Sequence, residues 1–203
     1  MLICKYTKLY PAHYASHLDT LRAVMATIRR ANLKVEFSDG FNPHMRLFFS
    51  LPLPLGVESK AEFFAVDTGE SANEFVNRFN AVAPSGIKIL KAIKGNKDNM
   101  YADIYGAEYK ITFDGITYEQ LAKYVANVLE SKEYNITYVH KGISKTVQVR
   151  DKILDLTAKN NTIIAKLRHG NINLSVLRIA EDVCTHTKKP LFYQAVKQKI
   201  ITQ

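Results

Sequence analysis

Residues 37 to 56 read FSDGFNPHMRLFFSLPLPLG, and four side chains in that stretch carry hydrogen-bonding groups that a turn does not need. Gly40 permits a positive φ and Pro43 fixes a turn, so these two set backbone geometry. Ser38, Asn42, His44 and Arg46 are what geometry leaves over. Their donors can converge on an anion such as a phosphate or a carboxylate. The PLPLG run reads structurally, with Pro52 and Pro54 holding an extended edge segment and Gly56 turning it.

A second group lies upstream, in SHLDTLRAVMATIRRA. Asp19 near a helix start has a structural reason, because a carboxylate there caps backbone N–H groups and suits the helix dipole. His17 has none, and is expected to line a small anion-accepting cleft with His44 and Arg46. Arg22, Arg29 and Arg30 follow on the same helix, either as a solvated face or as a phosphate-binding ridge.

The whole chain leans the same way. Its 203 residues hold 28 Lys and Arg against 19 Asp and Glu, a formal net charge of +9. Such an excess attracts polyanions, nucleic acid first. From Thr157 to Ala180 there is no acidic residue, while Lys159, Lys166, Arg168, His169 and Arg178 are present. Val183 to Gln203 is also free of acids, with His186, Lys188, Lys189, Lys197 and Lys199. Basic residues interleaved with Tyr and His suit phosphate contact and base stacking. Lys166 and Arg168 are the sharpest candidates for RNA contact. Lysines that guard strand edges are the competing reading.

Other chemistry finds no motif. The sequence has no GxxxxGK[ST] loop, no GxGxxG after a strand, no CxxxCxxC and no HExxH, so neither metal nor cofactor is expected. Cys4 and Cys184 stand far apart in apolar settings and read as buried free thiols. No apolar run reaches the roughly 18 to 20 residues that span a bilayer. The start alternates like a strand rather than a signal peptide, so the expectation is a cytoplasmic protein with no membrane partner.

These groups need a frame, and the pattern predicts an α+β one. Leu2 to Lys8 alternates as a strand, Ser16 to Ala31 is a helix, and Lys34 to Phe37 and Met45 to Leu51 are extended. Ala61 to Asp67 is a strand, Ser71 to Val82 a helix and Ile87 to Ile93 a strand. A polar connector at residues 95 to 106 marks a boundary. Beyond it come a strand at Glu108 to Phe113, a helix at Thr117 to Ser131, and strands at Tyr134 to His140 and Lys145 to Asp151. A hairpin over Asp155 to Arg168 turns at Asn160-Asn161, and a helix covers Asn173 to Cys184. Leu191 to Ile201 is extended or helical. The expected architecture is two tandem ferredoxin-like (βαββαβ) halves with antiparallel sheets. Residues 1–98 form the half with the SxGFNPH loop, and residues 99–203 form the basic half.

The first seventy residues also resemble a bacterial family, the radical-SAM-linked domain of unknown function. Its signature falls here on Ser16 to Asp19, Arg30-Ala31, Ser38 to His44, Pro52 to Gly56 and Ser59 to Glu62. Weaker similarity continues through LRHGNINLSVLRIAEDV. Met45 departs from the family's proline, which makes the exit from the loop less rigid. Asp39 occupies a variable position of the family, which argues against a catalytic acid there. The resemblance brings no assigned reaction. It implies association with a cobalamin-type radical SAM partner, and gene neighbours that include E/G-type ribonucleases and ribosomal proteins. The expected function is therefore an RNA-binding accessory protein that presents RNA, or an RNA–protein particle, to that partner. The alternative is an RNA-modifying or metal-independent RNA-cleaving enzyme using His17 or His44. A small-molecule-binding module comes third.

Overall fold

The computed structural model describes residues 1–98, 104–169, 174–190 and 192–202. The chain divides into two compact α+β units, Met1–Asp103 and Ile104–Gln203, whose sheets are built from antiparallel pairs.

In the first unit β1 (Leu2–Lys8) leads through α1 (His17–Arg30) and β2 (Leu47–Phe49) to β3 (Glu58–Val66), α2 (Ala72–Val82) and β4 (Ile87–Lys94). The strands order themselves β4-β1-β3-β2, every neighbour antiparallel. Alternation in β1 turns Leu2, Cys4 and Tyr6 toward one core, where Phe64 and Val66 of β3 meet Val24 and Ile28 of α1 and Phe75 and Phe79 of α2. Both helices start on serine caps: Ser16 Oγ accepts from Asp19 N–H and Ser71 Oγ from Glu74 N–H. Residues 34–37 form no strand. They are held instead by an isolated bridge between Phe37 and Met45 and by the Glu36 N–H, which donates to the Asp67 carbonyl at 2.8 Å.

The second unit runs β5 (Ile104–Phe113), α3 (Tyr118–Glu130), β6 (Asn135–His140), β7 (Ile143–Gln148), β8 (Ile153–Lys159), β9 (Thr162–Arg168), α4 (Val176–Thr187) and β10 (Tyr193–Thr202). Its main sheet is ordered β10-β5-β9-β8. The hairpin β8–β9 turns at Asn160, whose φ is 52°. A second hairpin, β6–β7, pairs with itself in a two-stranded sheet, turning through Lys141 and Gly142. The strand expected over Lys145 to Asp151 thus begins earlier and stops at Gln148, before a 3-10 turn at Arg150–Lys152. The last helix begins at Val176 behind the Ser175 cap and continues to Thr187, with Asn173 outside the described residues. The undecided final segment is a strand because β5 supplies an edge for it to pair with.

Candidate functional site

The loop from Ser38 to Arg46 is closed by its own polar groups. Ser38 N–H donates to the His44 carbonyl at 2.8 Å, and His44 N–H donates back to Ser38 Oγ at 3.0 Å. One Ser38 lone pair is therefore spent on the turn. Asn42 and His44 are exposed, and Phe41 at the tip is fully so. Arg46 turns toward the end of β3, where its Nη2 lies 3.1 Å from Asp67 Oδ2. His17 takes another direction, its ring meeting Phe49 of β2 edge-on at 5.8 Å. Among the described residues no hydrogen bond or ion pair joins His17, His44 and Arg46 to one another.

At the start of α1, Ser16 Oγ–H donates to Asp19 Oδ2 at 2.6 Å, and Arg22 Nη1 donates to Asp19 Oδ1 at 3.1 Å. The Ser16 hydroxyl, and after it the Arg22 guanidinium, hold the Asp19 carboxyl below the usual carboxylate range. Arg30 bonds Thr27 Oγ1 within its own helix and is otherwise turned to solvent.

Behind this helix start lies a buried polar group. Lys8 continues the inward row of β1, and its Nζ donates to the Ala15 carbonyl at 2.7 Å, pinning the chain as it enters α1. Opposite it on β3, the buried Ser59 hydroxyl donates to Glu62 Oε1 at 2.7 Å. Burial lowers the Lys8 pKa, and the charge of Glu62 works against that drop. A lysine at the inward position of an apolar alternation, Leu2-Cys4-Tyr6-Lys8, is a signal of this group that the sequence itself carries.

In the second unit the register places Lys166 in a row of alternating charge across four strands. Asp155 of β8 lies 2.9 Å from Lys166 Nζ, Lys166 stands opposite Glu108 of β5, and Glu108 lies 3.2 Å from Lys199 of β10. Asp155 raises the Lys166 pKa. Lys110, Lys159 and Arg168 share this face by register and are exposed. Arg168 donates to the Tyr105 hydroxyl at 2.7 Å, and its guanidinium lies 5.1 Å from that ring's centroid.

The same unit holds a buried network far from any motif. Asp182 of α4 accepts at Oδ2 from the Tyr124 hydroxyl at 2.8 Å and from the Tyr134 hydroxyl at 2.7 Å. Burial first, and then the Asp182 charge, push the Tyr124 hydroxyl well up; burial and the hydrogen bond to Asp182 raise Tyr134. His186, one turn on, donates from Nδ1 to the Asp182 carbonyl at 3.0 Å, because a carbonyl can only accept. A pocket of about 370 Å³ opens against Tyr124 and His186. The sequence carried one clue to this site, an aspartate on the buried stripe of α4 beside Ile179 and Val183.

The chain is thus a two-unit α+β protein with a basic sheet face and a buried Tyr–Asp–Tyr network. It belongs to a family of uncharacterized proteins conserved in bacteria (DUF2344), which it matches over residues 2–184. No curated protein matches it. Among solved structures it is similar to a chain from the crystal structure of a Cbf5-Nop10-Gar1 complex, 11% identical with a TM-score of 0.41. That likeness covers 97% of this chain, which spans 48% of the other. No described helix is long and apolar enough to cross a membrane.

Proposed function

We propose that the chain is an RNA-binding accessory protein that acts with a cobalamin-type radical SAM partner in RNA or ribosome-related processing or modification, in the cytoplasm. The observation that carries the RNA reading is the outer face of the second unit's sheet. Lys110, Lys159, Lys166, Arg168 and Lys199 share that face with two carboxylates, Asp155 and Glu108, leaving it net positive by three. A sheet face that carries five cations is a surface along which single-stranded RNA can lay its phosphates. The exposed Arg22, Arg30, Asn42 and His44 of the first unit, with His17, Ser38 and Arg46, add a second contact region in this reading.

Each unit is read as ferredoxin-like. What supports this is the shared strand order, last-first-third-second once the β6–β7 hairpin is set aside, with one helix after the first strand and one after the third. The radical SAM partner is supported by the signature residues from Ser16 to Glu62.

Titrating the purified chain with single-stranded RNA over a range of salt tests the binding. Affinity is expected to fall linearly in log–log form, and Lys110→Glu with Lys159→Glu to flatten the slope by about 0.7 per lost phosphate contact. Binding that ignores salt would remove the reading. Specific cleavage or base modification by the isolated chain would replace it with an enzyme. Recovery of the tagged chain from its native cell without a radical SAM protein would remove the partner.

A further inference from the structure

The geometry points to a phosphate-monoester site in the pocket between α3 and the C-terminal end of α4. Its wall is formed by Gln120, Lys123, Tyr124 and Asn127 of α3 and by His186 and Lys188, and none of the described residues that line it is acidic. At about 370 Å³ it sits at the small end of ligand pockets, enough for a phosphate and the sugar-sized group that bears it. Cations at a helix C-terminus have an ordinary reason, since they offset the dipole there. That reason covers His186 and Lys188 but not Lys123, which comes from the middle of a different helix. Lys188 also adopts φ 54° at the cap, a conformation that glycine or asparagine takes more easily, yet the chain keeps a long cation there.

The wall of the pocket is held in place from behind. Asp182 fixes the Tyr124 and Tyr134 hydroxyls, the Asp182 carbonyl fixes His186 through Nδ1, and the Thr117 N–H fixes Gln120 through Oε1. The Gln120 amide N–H₂ and the Lys123 and Lys188 ammonium groups line this pocket, and among the described residues no ion pair engages either lysine. A phosphate monoester, with three acceptor oxygens and close to two charges, matches several such donors at once. The site stands independently of RNA contact on the sheet face. Its ligand is either a free mononucleotide or the 5′-phosphate end of an RNA.

The test is calorimetric titration of the full chain with adenosine 5′-monophosphate, adenosine, inorganic phosphate, and a short RNA with and without a 5′-phosphate. Adenosine monophosphate should bind and raise the melting temperature, and adenosine should do neither. Lys123→Gln and Lys188→Asn, the latter suited to the left-handed cap, should each weaken binding by roughly tenfold, the loss of one charge-assisted hydrogen bond. Lys110→Gln on the sheet face should leave it unchanged. Preference for the 5′-phosphorylated RNA over its 5′-hydroxyl twin assigns the RNA end as the source; binding of the mononucleotide without that preference assigns the free ligand. Equal binding of adenosine and its monophosphate, no binding of either phosphate form, or pocket variants that bind as the parent does, would each overturn the site. Loss of salt-dependent RNA binding with these results intact would fail the RNA reading alone.

Discussion

Arg46 and Asp67 join the exit of the SDGFNPHMR loop to the end of β3, 3.1 Å apart between Nη2 and Oδ2. The backbone repeats the tie, because Arg46 N–H donates to the Glu36 carbonyl, and Asp67 N–H to the Arg46 carbonyl. A half-exposed pair of this kind stabilises by less than about 1 kcal/mol. Arg46→Ala is therefore expected to shift a denaturant midpoint only slightly, and to change the RNA salt slope by less than Arg168→Ala does, since Asp67 already neutralises part of its charge. Parallel melts and salt titrations of the two variants check both halves of this statement.

Gly40 has a φ of 110°, and a Cβ built on it would meet no atom within 4 Å. The cost of a side chain there is therefore backbone conformation and not collision. Gly40→Ala and Gly40→Val are expected to destabilise by similar amounts, about 1 to 3 kcal/mol each, in chemical denaturation. A much larger effect of valine than of alanine would show that the loop is more crowded than this.

The Asp182 network makes a prediction at high pH. Tyr124 and Tyr134 have folded pKa values above the unfolded value of about 10. A group raised in this way contributes stability that is complete below pH 10, where both states keep the proton. That stability is lost as pH climbs toward the folded value, because only the unfolded chain ionises. Unfolding free energy should fall above about pH 10, and Tyr134→Phe should make that fall shallower. At neutral pH the same substitution should cost about 1.5 to 3 kcal/mol, one hydrogen bond to a buried carboxylate.

Both thiols should be silent in the folded protein. Burial pushes Cys4 up to about 12 and raises Cys184, so neither presents thiolate at neutral pH. A colorimetric thiol reagent is expected to find no reactive group in the native chain and two in denaturant. Rapid labelling of either cysteine without unfolding would contradict the packing around β1 or α4.

How much of this could be read from the chain depends on range. The serine caps at Ser16 and Ser71 and the Asn160 turn involve residues a few positions apart, so local chemistry carries them. β10 was ambiguous because Tyr193, Ala195 and Lys197 alternate while Phe192, Val196 and Ile200 also keep a helical spacing. The edge of β5, some ninety residues away, decides between them. The two-stranded β6–β7 sheet was hidden for the same reason, since two hairpins in a row offered equal claims on the main sheet. The anion-accepting residues were proposed from type and proximity in sequence, whereas Arg46 and Lys166 each meet a carboxylate that folding brings from elsewhere, Asp67 and Asp155. Asp182 meets tyrosines 58 and 48 positions away, and no local pattern announces that.

The self-paired β6–β7 hairpin behaves, in terms of gene architecture, as a graft on the second unit. A chain that shortened it from its Lys141-Gly142 tip inward would still deliver α3 to β8 and leave the four-stranded order intact. The graft has a root that cannot be trimmed so freely, because Val149 N–H closes on the Tyr134 carbonyl there, and Tyr134 carries one of the two hydroxyls on Asp182. Length variation among relatives should therefore accumulate at the tip and stop short of that tyrosine.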